Sequence, residues 1–281
     1  MGTLSRSWDL LQQSFSVLKS DKELVWLPVF SAICCIAATI VIFGGGFLFV
    51  VPAGTFGHAG VQRGLLYEEM LPFLFLFYVA TYSIAIFFNV ALVSIASDRL
   101  AGGQATLQDG LRVAWQRKWR ILEWGVLAAT VGMILKGLER RAGFIARIVI
   151  GIIGFVWTLA CFFVVPLLAA EDIGPIDALR RSAQIFRETW GEEVVGGFSF
   201  GLIFFLLAIP GVLLPIAGAQ LGSAALAMGV ALAVIYWVLL AVTASAVQGI
   251  FVAALFRYAT SRQIPGAFSG HDLPGAWQPK A

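Results

Sequence analysis

The chain has 281 residues, of which 59% are hydrophobic and 12% are charged, and its formal net charge is +3. An ordinary soluble domain is about 25% charged, so this composition excludes a soluble globular protein. The small net charge gives no basic footprint for nucleic acid, which is therefore not an expected partner.

The first predicted element is an amphipathic helix over residues 4–20, with Trp8 on its apolar side. This segment has no unbroken apolar core and no cleavage site, and the apolar run behind it is too long for a removable signal. We therefore expect the N-terminus to be retained rather than processed as a secretion signal.

Long uncharged runs follow over residues 24–56, 71–97, 148–170 and 194–256. Each exceeds the roughly 18 apolar residues that mark a spanning helix, and the last is long enough for two spans and a turn. Together with a shorter candidate, these runs predict spans over residues 24–52, 71–97, 121–138, 146–170, 194–217 and 224–256.

The third predicted span is the least certain in length. Residues 121–135 are apolar apart from Glu123, and at 1.5 Å per residue they cover only about 22 Å of a core about 30 Å thick. The alternative is a buried half-helix that turns back.

Six spans place 14 of the 19 basic residues on the side of the N-terminus, against 12 if the segment turned back. The positive-inside rule therefore favours six spans with both termini cytoplasmic, although the basic segment at residues 138–147 is an exception.

Three predicted surface helices share a short pattern. Asp9, Asp109 and Asp177 are each followed by leucine two residues later and by a small residue five residues later. The helices are predicted over residues 4–20, 106–120 and 175–190, and each precedes a pair of spans. The predicted fold is therefore all-α, a polytopic six-helix transmembrane bundle in a single domain, built of three units that each join an amphipathic interfacial helix to a transmembrane hairpin.

Basic and aromatic side chains on these helices are candidates for contact with lipid headgroups. The simpler interpretation, which we prefer, is that the helices only brace the bundle at the membrane surface. The candidates are Trp8, Arg112, Trp115, Lys118, Arg180, Arg181, Arg187 and Trp190.

Polar groups inside the spans are expensive in lipid and therefore informative. The candidates are Asn89, Thr158, Ser245 and Gln248, and we favour hydrogen bonds between helices over a substrate site.

Small residues mark candidate places for close helix packing, at Gly151, Gly154, Gly197 and Gly201. The run Gly44, Gly45 and Gly46 is a candidate hinge or unwound stretch, or equally a tight crossing point.

No pattern of catalytic or metal-binding residues is visible. His58 and His271 are the only histidines, and Cys34, Cys35 and Cys161 have neither metal spacing nor a disulfide framework. No phosphate-binding glycine loop is present. We therefore expect no enzyme activity and no cofactor.

Three stretches resemble a known family. SWDLLQQSFSVLKSDKELVWLP, EDIGPIDALRRSAQIFRETWGEEVVG and AALFRYATSRQIPGAF are similar to an uncharacterised prokaryotic family of integral membrane proteins with a domain of unknown function. That family is distantly similar to membrane domains fused to some glycerophosphodiester phosphodiesterases. The resemblance implies a six-span bundle in a bacterial or archaeal cell membrane and brings no activity.

Two functional hypotheses remain. We favour a structural or accessory subunit whose partners are membrane lipids, further copies of itself or a larger membrane complex. The alternative is a small transporter, channel or lipid-handling protein with a path near Asn89 and Gln248.

Overall fold

The computed structural model describes residues 14–15, 18–19, 21–50, 63–190 and 199–261, and it describes the backbone alone within residues 46–50, 63–70, 141, 189–190, 199–203 and 261. All regular structure in these ranges is helical. The predicted all-α class is therefore confirmed.

The described residues form the following helices in chain order. A 3-10 helix, Lys22–Val25, leads into α1 (Trp26–Val50). The others are α2 (Arg63–Leu100), α3 (Leu107–Gln116), α4 (Lys118–Arg141), α5 (Phe144–Ala160), α6 (Val164–Ala170), α7 (Pro175–Trp190), α8 (Ser199–Gln220) and α9 (Ser223–Ser261).

Five segments of the described residues are long and apolar enough to cross a membrane, which is consistent with a multi-pass membrane protein. They are Lys22–Gly45, Leu71–Leu100, Lys118–Arg140, Phe144–Ala170 and Ser223–Thr260. The predicted span over residues 194–217 begins outside the described residues, and its described part belongs to the shorter apolar helix Phe204–Gln220.

The chain divides into two compact units. The described parts of the first come from Met1–Pro28, Ile95–Leu107 and Ile185–Ala281, and those of the second come from Val29–Ser94 and Gln108–Gln184.

In the first unit, α8 and α9 form a close hairpin. Gly222 links them with a φ of +110°, a left-handed conformation that favours glycine. The two backbones approach so closely that a Cβ on Gly229 would lie 2.6 Å from the carbonyl oxygen of Leu214. The buried side of α9 follows helical spacing and includes Ala246, Val247, Ile250, Ala253 and Ala254.

In the second unit, α4 runs without interruption through residues 118–141, about 36 Å at 1.5 Å per residue. The alternative of a half-helix that turns back within residues 121–135 is therefore wrong. Gly125 brings α4 against α2, because a Cβ there would lie 2.1 Å from the Ser83 hydroxyl. Trp124 stacks on Trp157 of α5, with ring centroids 6.0 Å apart.

The fourth predicted span is not one regular helix. The turn at residues 161–163 separates α5 from α6, and Pro166 lies in the first turn of α6. Proline cannot donate a hydrogen bond to residue i−4, and its ring clashes with that carbonyl. The interruption therefore falls directly before Pro166.

The predicted surface helix over residues 106–120 also differs from the structure. α3 ends at Gln116, Arg117 forms a turn, and residues 118–120 already belong to α4. α7 begins at Pro175, where proline costs no hydrogen bond, and it carries Asp177 in its first turn.

Candidate functional site

The repeated surface pattern has a common structural feature. The small residue five positions after each aspartate, Ser14, Ala114 or Ser182, is fully buried. The preceding small positions Gly110 and Ala178 are buried as well. In α3 and α7 the small residues therefore form the packed side of a surface helix.

Ser182 also supports the interrupted fourth span. Its hydroxyl oxygen accepts a hydrogen bond of 2.9 Å from the backbone N–H of Phe163, and both residues are fully buried. This N–H lies in the turn between α5 and α6. α7 thus supplies the acceptor for a donor at the interruption.

A charged cluster joins the start of α4 to the link before α7. Asp172 accepts from Arg117 at 3.2 Å and from Arg120 at 3.3 Å, and Arg120 also pairs with Glu123 at 3.1 Å. In the same link, Glu171 pairs with Arg181 of α7 at 2.6 Å. These three bases and three acids from separate segments neutralise one another.

Several predicted headgroup ligands are engaged within the protein. Arg112 pairs with Asp109 at 3.3 Å, and Arg180 lies 3.8 Å from Asp177. Arg187 is exposed and has no ion pair among the described residues.

The aromatic candidates of α3 and α4 face outward. Trp115 is 63% exposed and Trp119 is 66% exposed, and the ammonium of Lys118 lies 4.4 Å and 5.7 Å from their ring centroids. Trp115 also contacts Phe87 edge to face. Trp8 and the side chain of Trp190 lie outside the described residues.

The predicted intramembrane polar residues bond mainly to their own helices. The Asn89 amide donates to the carbonyl of Ala85 at 2.9 Å, and the Thr158 hydroxyl donates to that of Gly154 at 2.9 Å. Asn89 therefore forms this hydrogen bond within its own helix, whereas a bond between helices was predicted. Ser245 is half-buried, and Gln248 is exposed between buried neighbours on α9.

The glycines that the sequence marked as hinge or packing candidates are not those at which the described helices approach most closely. α1 continues as a helix through Gly44, Gly45 and Gly46, so the run is not unwound. Described atoms approach the Cβ positions of Gly44, Gly45, Gly151 and Gly154 no closer than 4 Å. Gly197 and the side-chain surroundings of Gly201 lie outside the described residues.

Two aromatic side chains of α9 donate hydrogen bonds to backbone carbonyls of α8, and the sequence analysis did not find these bonds. The indole N–H of Trp237 donates to the carbonyl of Ala208 at 3.1 Å, and the Tyr236 hydroxyl donates to that of Leu207. Pro210 and Pro215 lie within α8. Hydrogen-bond donors from α9 thus help to satisfy backbone carbonyls of α8 near its helix-distorting prolines. In the sequence, only these prolines pointed to such a contact.

The end of α2 carries a second polar cluster that sequence reasoning missed. Arg99 pairs with Asp21 and donates from Nε to the carbonyl of Ala105 at 3.0 Å, while Asp98 accepts from the N–H of Ala105 at 2.9 Å. Arg257 of α9 donates to the carbonyl of Ser97 at 2.8 Å. The sequence feature that could have indicated this cluster is the pair Asp98 and Arg99, which directly follows the apolar run over residues 71–97.

At the other end of α4, the Lys136 ammonium donates to the Tyr78 hydroxyl at 3.1 Å and lies 5.2 Å from that ring's centroid. Lys136 lies near the end of the predicted span over residues 121–138, and the sequence did not indicate Tyr78 as its partner. No group of three or more metal-ligating side chains occurs among the described residues.

Comparison with curated proteins and with solved structures returns no match. A family of unknown function, DUF6159, matches residues 69–266, which is more than half of the chain. The chain therefore belongs to this family of unknown function, whose matched region includes α3 to α9 and most of α2.

Proposed function

We propose that this chain is a six-span protein of a bacterial or archaeal cell membrane, built of three units and with both termini cytoplasmic. Each unit joins a surface helix to a spanning hairpin. The shared burial of Ser14, Ala114 and Ser182 supports the repeat, because the same position packs in each unit. The two-residue links at 142–143 and 221–222 support the hairpins.

Within this architecture, the role we propose is that of a non-catalytic structural or accessory subunit, which packs against lipid, itself or a larger membrane complex. One observation carries the proposal. Several polar side chains within the apolar helices donate to carbonyls four residues earlier, as Asn89, Thr158 and Thr243 do, although the buried Ser83 hydroxyl has no partner among the described residues.

This pattern bears on transport because a substrate site needs polar groups that are free to exchange partners. Transporters generally place such groups near the bilayer midplane, at breaks in helices. Here α1 is continuous at its glycine run. The interruption before α6 has a donor that is already satisfied by Ser182.

The surface helices suit bracing. Their small residues are buried, and Arg112, Arg117 and Arg180 pair with the nearby carboxylates of Asp109, Asp172 and Asp177. Exposed Trp115 and Trp119 are suited to the headgroup region, where aromatic side chains anchor membrane proteins.

A flux measurement tests the proposal. The full chain is reconstituted into liposomes that report protons, potassium, chloride and the exchange of phospholipid between leaflets. We expect rates equal to those of protein-free liposomes for the wild type, for Asn89→Leu and for the matched control Thr158→Val.

The alternative function predicts a different result. Selective flux by the wild type that Asn89→Leu abolishes and Thr158→Val leaves intact would overturn the accessory role. Native mass spectrometry after mild extraction then identifies the partner, since a homo-oligomer and a larger complex differ in mass.

A further inference from the structure

The start of α4 carries a lysine between two exposed indole rings. The Lys118 ammonium lies 4.4 Å from the ring centroid of Trp115 and 5.7 Å from that of Trp119. We call these three residues the indole–lysine site. Both distances are within the range of a cation–π interaction, so two aromatic rings fix the position of this charge.

The carboxylates around the indole–lysine site are engaged by other bases. Residues 109–123 contain four basic and two acidic residues, and Asp172 adds a third carboxylate. Each of these carboxylates pairs with an arginine, namely Arg112, Arg117 or Arg120. Lys118 has no ion pair among the described residues. Its positive charge is therefore open to an external anion.

The indole–lysine site lies at the end of a membrane-crossing segment. Lys118 is the first residue of the apolar segment Lys118–Arg140, which is long enough to span a bilayer. The headgroups of a bilayer begin where such a segment leaves the hydrocarbon core, and tryptophan is enriched at this depth. The Lys118 ammonium therefore lies at the level of the lipid phosphates.

An exposed apolar row runs from this site along α4. Leu122 and Val126 are exposed, as Trp119 is. Their spacing of three and four residues places the three side chains on one face of the helix. The row begins beside the charge, just as the acyl chains of a phospholipid begin beside its phosphate.

We propose that the indole–lysine site binds an anionic phospholipid. The Lys118 ammonium pairs with the phosphate, the two indoles lie among the headgroups, and one acyl chain lies along Trp119, Leu122 and Val126. Charge complementarity and the apolar row together select this occupant. The proposal rests on the proposed function, since it names the lipid against which the subunit packs.

Two other occupants match less of the site. A free phosphate ion would meet the ammonium but would leave the apolar row uncovered. A second copy of the chain, joined through the same site, would bring two Lys118 charges together, and like charges repel.

The test is a lipid titration of the full chain in detergent, followed by native mass spectrometry. Phosphatidylglycerol and phosphatidylcholine with identical acyl chains serve as probes, because both carry a phosphate but only phosphatidylglycerol has a net negative charge. We expect the wild type to retain phosphatidylglycerol preferentially. In Lys118→Gln this preference falls by about fivefold, as expected for the loss of one basic residue at a membrane surface.

The matched control is Arg112→Gln, which removes the same charge three residues before Trp115. It changes the preference by less than about twofold, because Asp109 already offsets that exposed charge. Lys118→Arg retains the preference, since a guanidinium also pairs with phosphate and stacks on indole rings. Trp115→Leu removes the nearer ring and lowers the preference about twofold. Circular dichroism checks the helix content of each variant.

Four outcomes overturn the proposal. The first is a wild type without preference for phosphatidylglycerol, and the second is an equal loss in Lys118→Gln and Arg112→Gln. The third is displacement of the lipid by inorganic phosphate at equal concentration, which would show that the site takes the free anion. The fourth is a bound protein, either a second copy or another chain, that Lys118→Gln releases while lipid retention is unchanged.

The liposome flux measurement separates this proposal from the accessory role. Selective flux would overturn the accessory role and leave the lipid preference in place. Loss of the lipid preference would leave the flux at the level of protein-free liposomes.

Discussion

The two ends of α4 carry charge in opposite ways. At the N-terminal end, Arg117 and Arg120 share the carboxylate of Asp172. At the C-terminal end, the Lys136 ammonium donates to the hydroxyl of Tyr78 and lies over its ring. The first end has its arginines neutralised by a carboxylate, and the second holds Lys136 with an aromatic side chain.

This difference changes how basic residues in a membrane protein are interpreted. The surface helices near the start of α4 look basic in sequence, but Arg112, Arg180 and Arg181 have carboxylate partners. In the basic segment at residues 138–147, which conflicts with the positive-inside rule, Arg147 is exposed and has no ion pair among the described residues. The number of arginines in a segment therefore does not show how many of them are neutralised by the protein.

The largest expected effect comes from removing the support of the neutralised end. In Ser182→Ala the buried N–H of Phe163 loses its acceptor beside the segment that holds Glu171 and Asp172. An unsatisfied buried donor costs about 1–3 kcal/mol. Unfolding in sodium dodecyl sulfate, followed by tryptophan fluorescence, measures the loss.

The control for this variant is Thr158→Ala, which removes an exposed hydroxyl that bonds to its own helix. We expect a change below about 0.5 kcal/mol, as for surface substitutions in general. Equal losses in the two variants would show that the Ser182 hydroxyl does not support the interruption.

A somewhat smaller loss of stability is expected when the carboxylate that neutralises the arginines at the N-terminal end of α4 is replaced by a positive charge. Asp172→Arg removes two ion pairs and places a third arginine beside Arg117 and Arg120. Asp172 is 64% exposed, so each pair contributes little and the total loss is about 1–2 kcal/mol. The same substitution leaves three arginines without the shared carboxylate and should increase binding of phosphatidylglycerol.

Asp172→Asn separates these two effects. It removes the ion pairs without adding positive charge, so it should lose about half as much stability and gain less lipid. The comparison between the two ends of α4 fails if Asp172→Arg binds no more phosphatidylglycerol than the wild type.

The sequence was sufficient to predict the helical class, because hydrophobic runs of spanning length have no other common solution in lipid. It could not predict the pairing of Arg120 with Asp172, which are 52 residues apart. Such a pair depends on how the helices pack rather than on local periodicity.

Two local features could not be read from the sequence alone. The predicted fourth span agrees with the apolar segment Phe144–Ala170, but the turn at residues 161–163 was not foreseen, although proline at position 166 disfavours the helical turn before it. Gly151 and Gly154 suggested close packing, but the close contacts occur at Gly125 and Gly229, where a facing backbone or hydroxyl excludes a Cβ. Small residues permit close approach, and only the fold decides which of them are used.

The smallest expected loss of stability concerns Lys136 and its aromatic partner Tyr78 at the C-terminal end of α4. Lys136→Met removes the hydrogen bond to Tyr78 and the contact with its ring, at a cost of about 0.5–1 kcal/mol because the site is exposed. Tyr78→Phe removes the hydroxyl and keeps the ring, so a double-mutant cycle with Lys136→Met isolates the hydrogen bond. A coupling of zero in sodium dodecyl sulfate unfolding would mean that Lys136 is not held by Tyr78.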